Sequence, residues 1–117
     1  MRLSLETRVT EEVTVICCQG RIAYGVDAAV LSGEIAGLLP QTRRLVIDLS
    51  GVEMIDAAGL GELVSVALTA QGSQCSVTLA APRSLIRELL DLTKLTSVFE
   101  VYPTVDAATL ASGGQAA

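Results

Sequence analysis

Between Arg44 and Leu49 the chain reads RLVIDL, and Leu45, Val46, Ile47 and Leu49 put apolar side chains on both faces of any strand formed there. No other stretch constrains the fold as much. A strand apolar on both sides belongs in a sheet covered by helices on both faces, which crossover connections of a parallel sheet provide. The flanking segments supply such helices. Val30, Leu31, Ile35 and Leu38 recur at helical spacing from about Val26 until Pro40 halts the pattern. Leu60, Leu63, Val64, Ala67 and Leu68 fall at i, i+3, i+4, i+7 and i+8 and form a stripe that predicts a second helix ending near Gly72. The cycle then repeats: CSVTLA as a strand, Pro82 at a helix entrance, Leu85, Ile86, Leu89 and Leu90 on one helical face, VFEVY as a last strand, and a final helix from near Thr104.

Ahead of this alternation, Leu3, Leu5 and Val9 alternate with Ser4, Glu6 and Arg8, and a polar break at Thr10, Glu11 and Glu12 leads into VTVICC. That pattern predicts an antiparallel hairpin. The expected fold is α/β: a small mixed sheet opened by the hairpin, then right-handed β-α repeats with about four helices and RLVIDL as the central strand. The 117 residues fit one core, and with 3% aromatics and no Trp that core must be built from aliphatic side chains. Residues 1–112 are read as a single domain and 113–117 as a disordered tail.

Charge and composition exclude several functions. Thirteen acidic against eight basic residues give a net charge of -5, so the chain lacks the basic stripe that nucleic-acid binding needs. The absence of His removes the commonest general base and metal ligand and every Ser-His-Asp or Cys-His arrangement. Cys17, Cys18 and Cys75 form no CxxC pair and are read as buried free thiols; no metal and no cofactor is expected. The charged, alternating start is unlike a secretory leader, and the apolar stretch Ala57–Ala70, broken by Glu62, is shorter than the roughly 20 residues a membrane-spanning helix needs. A cytoplasmic location without membrane insertion is expected.

The functional signal lies in LVIDLSGVEMIDAAGLG, where the strand is expected to run into a loop and then a helix whose first turn holds Ala57, Ala58, Gly59, Leu60 and Gly61. Glycine in a helix costs about 1 kcal/mol relative to Ala, so Gly59 and Gly61 imply close approach of something to the backbone, either a partner or the underlying sheet. Asp56 stands where an N-cap belongs and can satisfy an orphan backbone N–H at the positive end of the helix. A phosphate-cradling loop is the rival reading, but the GLG sits in no GxGxxG or GxxxxGK[ST] frame, and no Lys or Arg lies between Arg44 and Arg83.

This segment resembles the STAS domain family, shared by anti-sigma factor antagonists and the cytoplasmic parts of sulfate transporters. Members of that family show a buried strand ending in Asp-Leu-Ser, a Val two residues on, and Asp-Ser-Ser-Gly-Leu-Gly or a near variant. Here these are Asp48-Leu49-Ser50, Val52 and Asp56-Ala57-Ala58-Gly59-Leu60-Gly61. The opening hairpin, Gly20-Arg21-Ile22, and the Leu-rich helix after Pro82 followed by VFEVYPTVDAA extend the resemblance over most of the chain. It implies a non-enzymatic domain that binds an anti-sigma serine kinase or related regulatory protein. In the family, the hydroxyl residue immediately before Gly-Leu-Gly accepts phosphate and switches binding off. That position is Ala58, whose methyl group cannot accept phosphate, and neither Ser50 nor Ser65 stands in its place.

Three functions follow for weighing. The first is a protein-binding regulator whose partner-binding patch comprises Asp56, Ala57, Ala58, Gly59, Leu60, Gly61, Glu62 and Ser65, with Leu60 also on the apolar stripe and so read as core. The second, its alternative, is a soluble STAS subunit of a membrane anion or lipid transport complex. The third is an enzyme using Asp48, Glu53 and Asp56 as acid and base; without an accompanying basic group or ligand set, capping and solvated roles explain these carboxylates better.

Overall fold

The computed structural model describes residues 3–10 and 13–114. Strands β1 (Ser4–Val9) and β2 (Thr14–Ile22) are followed by helix α1 (Val26–Leu38), β3 (Arg44–Ile55), α2 (Ala57–Gly72), β4 (Ser76–Ala80), α3 (Ser84–Leu92), β5 (Glu100–Tyr102) and α4 (Val105–Gly114). The sheet order is β1-β2-β3-β4-β5. β1 pairs antiparallel with β2, Leu5 opposite Cys18, and the remaining pairs are parallel, with Ile47 between Ile16 and Leu79. The mixed sheet, its opening hairpin and the central place of RLVIDL are therefore as the sequence predicts; Glu11 and Glu12 of the expected turn lie outside the described residues.

Alternation along β3 explains why its sequence is apolar on both sides. Leu45, Ile47 and Leu49 join the larger core with Leu31 and Ile35 of α1, Leu63, Val66 and Ala70 of α2, and Ile86 and Leu90 of α3. Val46 turns the other way and meets Val13, Ala80 and Ala108 of α4. Three helices thus cover one face and α4 the other. On that second face Thr78 is buried, and its hydroxyl has no hydrogen-bond partner among the described residues.

Several expectations need correction. β3 does not give way to a loop after Leu49 but continues to Ile55, because β2 runs beside it as far as Ile22 and buries Val52 and Ile55. The pairing shifts register between Cys17 and Gln19, and there Gly51 is needed: a Cβ on it would stand 2.7 Å from the Cys18 carbonyl oxygen. The fully buried residues of α2 are Gly59, Leu63, Val66 and Ala70; Leu60, Val64 and Ala67 of the predicted stripe are partly buried against the core, and Leu68 alone of that stripe is exposed. In α1 Val30 is exposed, and in α3 Leu85 is exposed while Ile86 and Leu90 point inward. Cys18 and Cys75 are buried, but Cys17 is only half-buried, because on its face of the sheet Ser4 and Glu6 of β1 and Gln19 of β2 surround a shallow hollow rather than a helix. The last strand is confined to Glu100–Tyr102. Backbone of α4 reaches Gly114, so Gly113 and Gly114 of the expected tail are helical and 115–117 lie outside the described residues.

Candidate functional site at the start of helix α2

The site is built where β3 ends and α2 begins. Asp56 is extended backbone, φ -98° and ψ -176°, and its Oδ1 accepts a hydrogen bond of 2.8 Å from the Gly59 N–H. This is the N-cap the sequence predicts. The other oxygen, Oδ2, accepts a 3.0 Å bond from the Tyr24 N–H in the segment joining β2 to α1. The Tyr24 bond first, and the Gly59 bond next, hold the Asp56 carboxyl below its ordinary pKa. One carboxylate thus ties two connections together at the same end of the sheet.

Gly59 faces inward. A Cβ there would run into the Ile22 carbonyl oxygen, with Ile55 Cγ2 3.0 Å away, so the helix start packs directly on the end of β2. The same Ile22 carbonyl accepts a 3.3 Å bond from the Asp56 N–H. Of the two readings the sequence allows for this glycine, helix-on-sheet packing is the one the geometry fits, and Gly59 offers no surface. Gly61 differs: it is exposed, and a Cβ there would meet nothing within 4 Å. Leu60 is half-buried and packs against the core.

The remaining predicted residues share one side of the helix. Ala58, Gly61, Glu62 and Ser65 stand at i, i+3, i+4 and i+7, which places them on a common face. Ala58 and Glu62 are half-buried, Gly61 and Ser65 exposed, and Ala57 is exposed at the tip. Ser65 borders a groove of about 310 Å³ between α2 and α1, lined also by Ala29, Ser32 and Thr69. The result is a shelf of small side chains at the helix start, rimmed by Tyr24, which is 84% exposed. Sequence reasoning missed Tyr24; its signal was its position two residues beyond Ile22, where β2 ends.

Asp48, Glu53 and Asp56 do not form one site. Asp48 Oδ1 accepts from the Ser50 N–H at 2.9 Å, and the eight-residue separation puts it roughly 25 Å from Asp56 along an extended strand. Arg83, remote in sequence, donates from Nε to the Ser50 carbonyl oxygen at 3.1 Å. No group of three His, Cys, Asp or Glu is placed to hold a metal among the described residues. No helix of the described residues is long and apolar enough to cross a membrane.

Five strands in sequential order with one antiparallel pair, three helices on one face, and a capped, small-residue helix start beyond the central strand define a compact class of α/β modules. The STAS domain model matches residues 4–108, and the chain belongs to the STAS domain family. An anti-sigma factor antagonist from Mycobacterium paratuberculosis is similar over 94% of this chain and 93% of its own, at 28% identity and a TM-score of 0.83. An anti-sigma-factor antagonist (STAS) domain protein from Planctomyces limnophilus shares the fold at 22% identity and a TM-score of 0.78, covering 92% of this chain and 97% of its own. A sulfate transporter family protein from Wolinella succinogenes does so at 14% identity and a TM-score of 0.73, over 90% and 88%.

Proposed function

We propose that this chain is a non-enzymatic, cytoplasmic regulator of the anti-sigma factor antagonist type, and that the start of α2 docks an anti-sigma serine kinase or a related regulatory protein. The observation that carries this reading is the shelf of exposed Ala57, Gly61 and Ser65 and half-buried Ala58, held in place by the doubly hydrogen-bonded Asp56 carboxylate. Small side chains let a partner backbone come close, and a fixed surface loses little entropy on binding. The 28% identical antagonist from Mycobacterium paratuberculosis supports the same assignment.

At the position where the family carries its phosphate acceptor, Ala58 offers only a methyl group. A phosphate would add about -1.5 to -2 charges to the shelf. Without it, binding is constitutive with respect to that switch and is set by the amounts of the two proteins.

The test is retention of proteins from the native cytoplasm on the wild-type chain and on Ser65→Trp, which alters an exposed position and leaves Gly59 packing intact. The retained proteins are identified by mass spectrometry and incubated with ATP. The expected result is a serine kinase held by wild type, lost from Ser65→Trp, that phosphorylates Ala58→Ser at the new hydroxyl and leaves position 58 of wild type unmodified. Retention of a permease or its ATPase instead would overturn this reading in favour of a transport-complex subunit.

A further inference from the structure

We propose that a second surface, the groove between the end of β3 and α3, seats a short amphipathic helix of another protein, apolar on its buried side and flanked by Lys or Arg. This surface is separate from the α2 shelf, and the proposal does not depend on which protein meets that shelf.

Helix α3 carries two apolar stripes. Ile86 and Leu90 turn into the core. Leu85, Leu89 and Leu92, at i, i+4 and i+7, form a second row; Leu85 is 75% and Leu92 79% exposed. Beside this row Met54 projects from the end of β3, 43% exposed. Together they line a hollow of about 270 Å³. Single exposed leucines are ordinary, but Leu85 and Leu92 on either side of the half-buried Leu89, beside an apolar trough, mark an interaction surface.

The groove's shape and charge point to its occupant. From Leu85 to Leu92 the row runs about 10 Å, two turns of helix, which matches a helix presenting anchors at i, i+3 or i+4, and i+7. Its lining holds two carboxylates, Glu53 and Glu88, and no cation. Neither carboxylate has a hydrogen bond or ion pair among the described residues, whereas the guanidiniums of α3 and its approach are engaged, Arg87 with Asp91 at 3.5 Å and Arg83 with the Ser50 carbonyl oxygen. A second copy of this chain would bring the same carboxylates against one another, on a chain already at -5. Like charges across an interface oppose association, so the complementary partner carries cations.

The test uses the full chain with isotope-labelled Leu and Met methyl groups, titrated with a synthetic helical peptide of about three turns with a leucine row and Lys flanks, and with its Glu-flanked twin. The Lys-flanked peptide should shift the methyl signals of Met54, Leu85, Leu89 and Leu92. Its affinity should fall at least about tenfold in Leu85→Ser/Leu92→Ser and in Glu53→Lys/Glu88→Lys, and stay unchanged in Ala58→Asp. Equal binding of the two peptides, shifts confined to other surfaces, or loss of the folded spectrum in Leu85→Ser/Leu92→Ser would each overturn the proposal. So would sedimentation of the unliganded wild type as a dimer that Leu85→Ser/Leu92→Ser converts to monomer, which would make a second copy the occupant.

Discussion

Replacing Gly59 by Ala adds one methyl group at the point where α2 meets β2. In an unobstructed helix this change stabilises by about 1 kcal/mol, because Ala is the better helix former. At Gly59 the new Cβ collides with the Ile22 carbonyl oxygen, and the carbonyl carbon and Ile55 Cγ2 are 2.9 and 3.0 Å away. These are backbone and core atoms, so relief requires the helix start to move. Overpacking of this kind costs about 1–3 kcal/mol. The displacement also breaks the 3.3 Å bond from the Asp56 N–H to the Ile22 carbonyl, worth about 1 kcal/mol. The net expectation is destabilisation by about 1–3 kcal/mol, a fall in Tm of roughly 4–12 °C for a domain of this size. Gly61→Ala, two residues further on and open to solvent, is the matched control. It should gain about 0.5–1 kcal/mol. Urea unfolding followed by far-UV circular dichroism, with calorimetry for Tm, measures both. If Gly59→Ala is stabilised as much as Gly61→Ala, the close approach of α2 to β2 is refuted, and with it the assignment of Gly59 to packing.

Other expectations follow from the same geometry. The folded pKa of Asp56 lies below its unfolded value, so the carboxylate stabilises the fold above the unfolded value of about 4 and this contribution is lost as pH falls through the folded one. Urea midpoints of wild type and Asp56→Asn should therefore differ by a constant amount above about pH 5 and converge in acid; a gap that widens in acid contradicts the two backbone bonds. Thr78→Val should raise stability by about 0.5–2 kcal/mol by removing an unpartnered buried hydroxyl, and a loss measured by urea unfolding would mean that the hydroxyl has a partner. Leu63→Ala should cost about 2–5 kcal/mol, whereas Leu68→Ala, 65% exposed, should stay within about 0.5 kcal/mol; reversal of that order would restore the stripe read from the sequence. Burial pushes the Cys18 thiol up to about 12, while Cys17 is the more accessible thiol, so iodoacetamide at pH 8 should label Cys17 first, as peptide mass spectrometry would show.

The parts of the fold legible in the sequence were those where one local signal admits one structure. RLVIDL could only be a strand covered on both faces, and Asp56 before a helix start could only be a cap or something using the same position. The phase of α2 was legible only in part: Leu60, Leu63, Val64 and Ala67 do meet the core, but Leu68 does not. Its apolar residues stand at 57, 58, 60, 63, 64, 66, 67, 68 and 70, nearly all round the helix, so spacing alone does not choose the fully buried side. The choice falls to Gly59, whose missing side chain permits the closest contact and which a count of apolar residues passes over. The far half of β3 was hidden for a related reason. Ser50-Gly51 has the composition of a turn, and only the register shift against β2, where β3 carries an extra residue, shows why a glycine is needed inside a strand. The common face of Ala58, Gly61, Glu62 and Ser65 follows from helical spacing alone, whereas the exposure of Leu85 was not legible, because it was placed on one face with Ile86, Leu89 and Leu90, which do pack inward.

The Asp56 carboxylate joins the end of β3 to the segment after β2 and to the first turn of α2. Pulling any one of these three pieces outward strains the other two, so the rim should move as a unit or not at all. A protein that recognises the shelf therefore senses the Tyr24 segment as well. A substitution near Tyr24 that stretched its bond would loosen the helix cap some thirty residues away in the chain, without changing any residue of α2 itself.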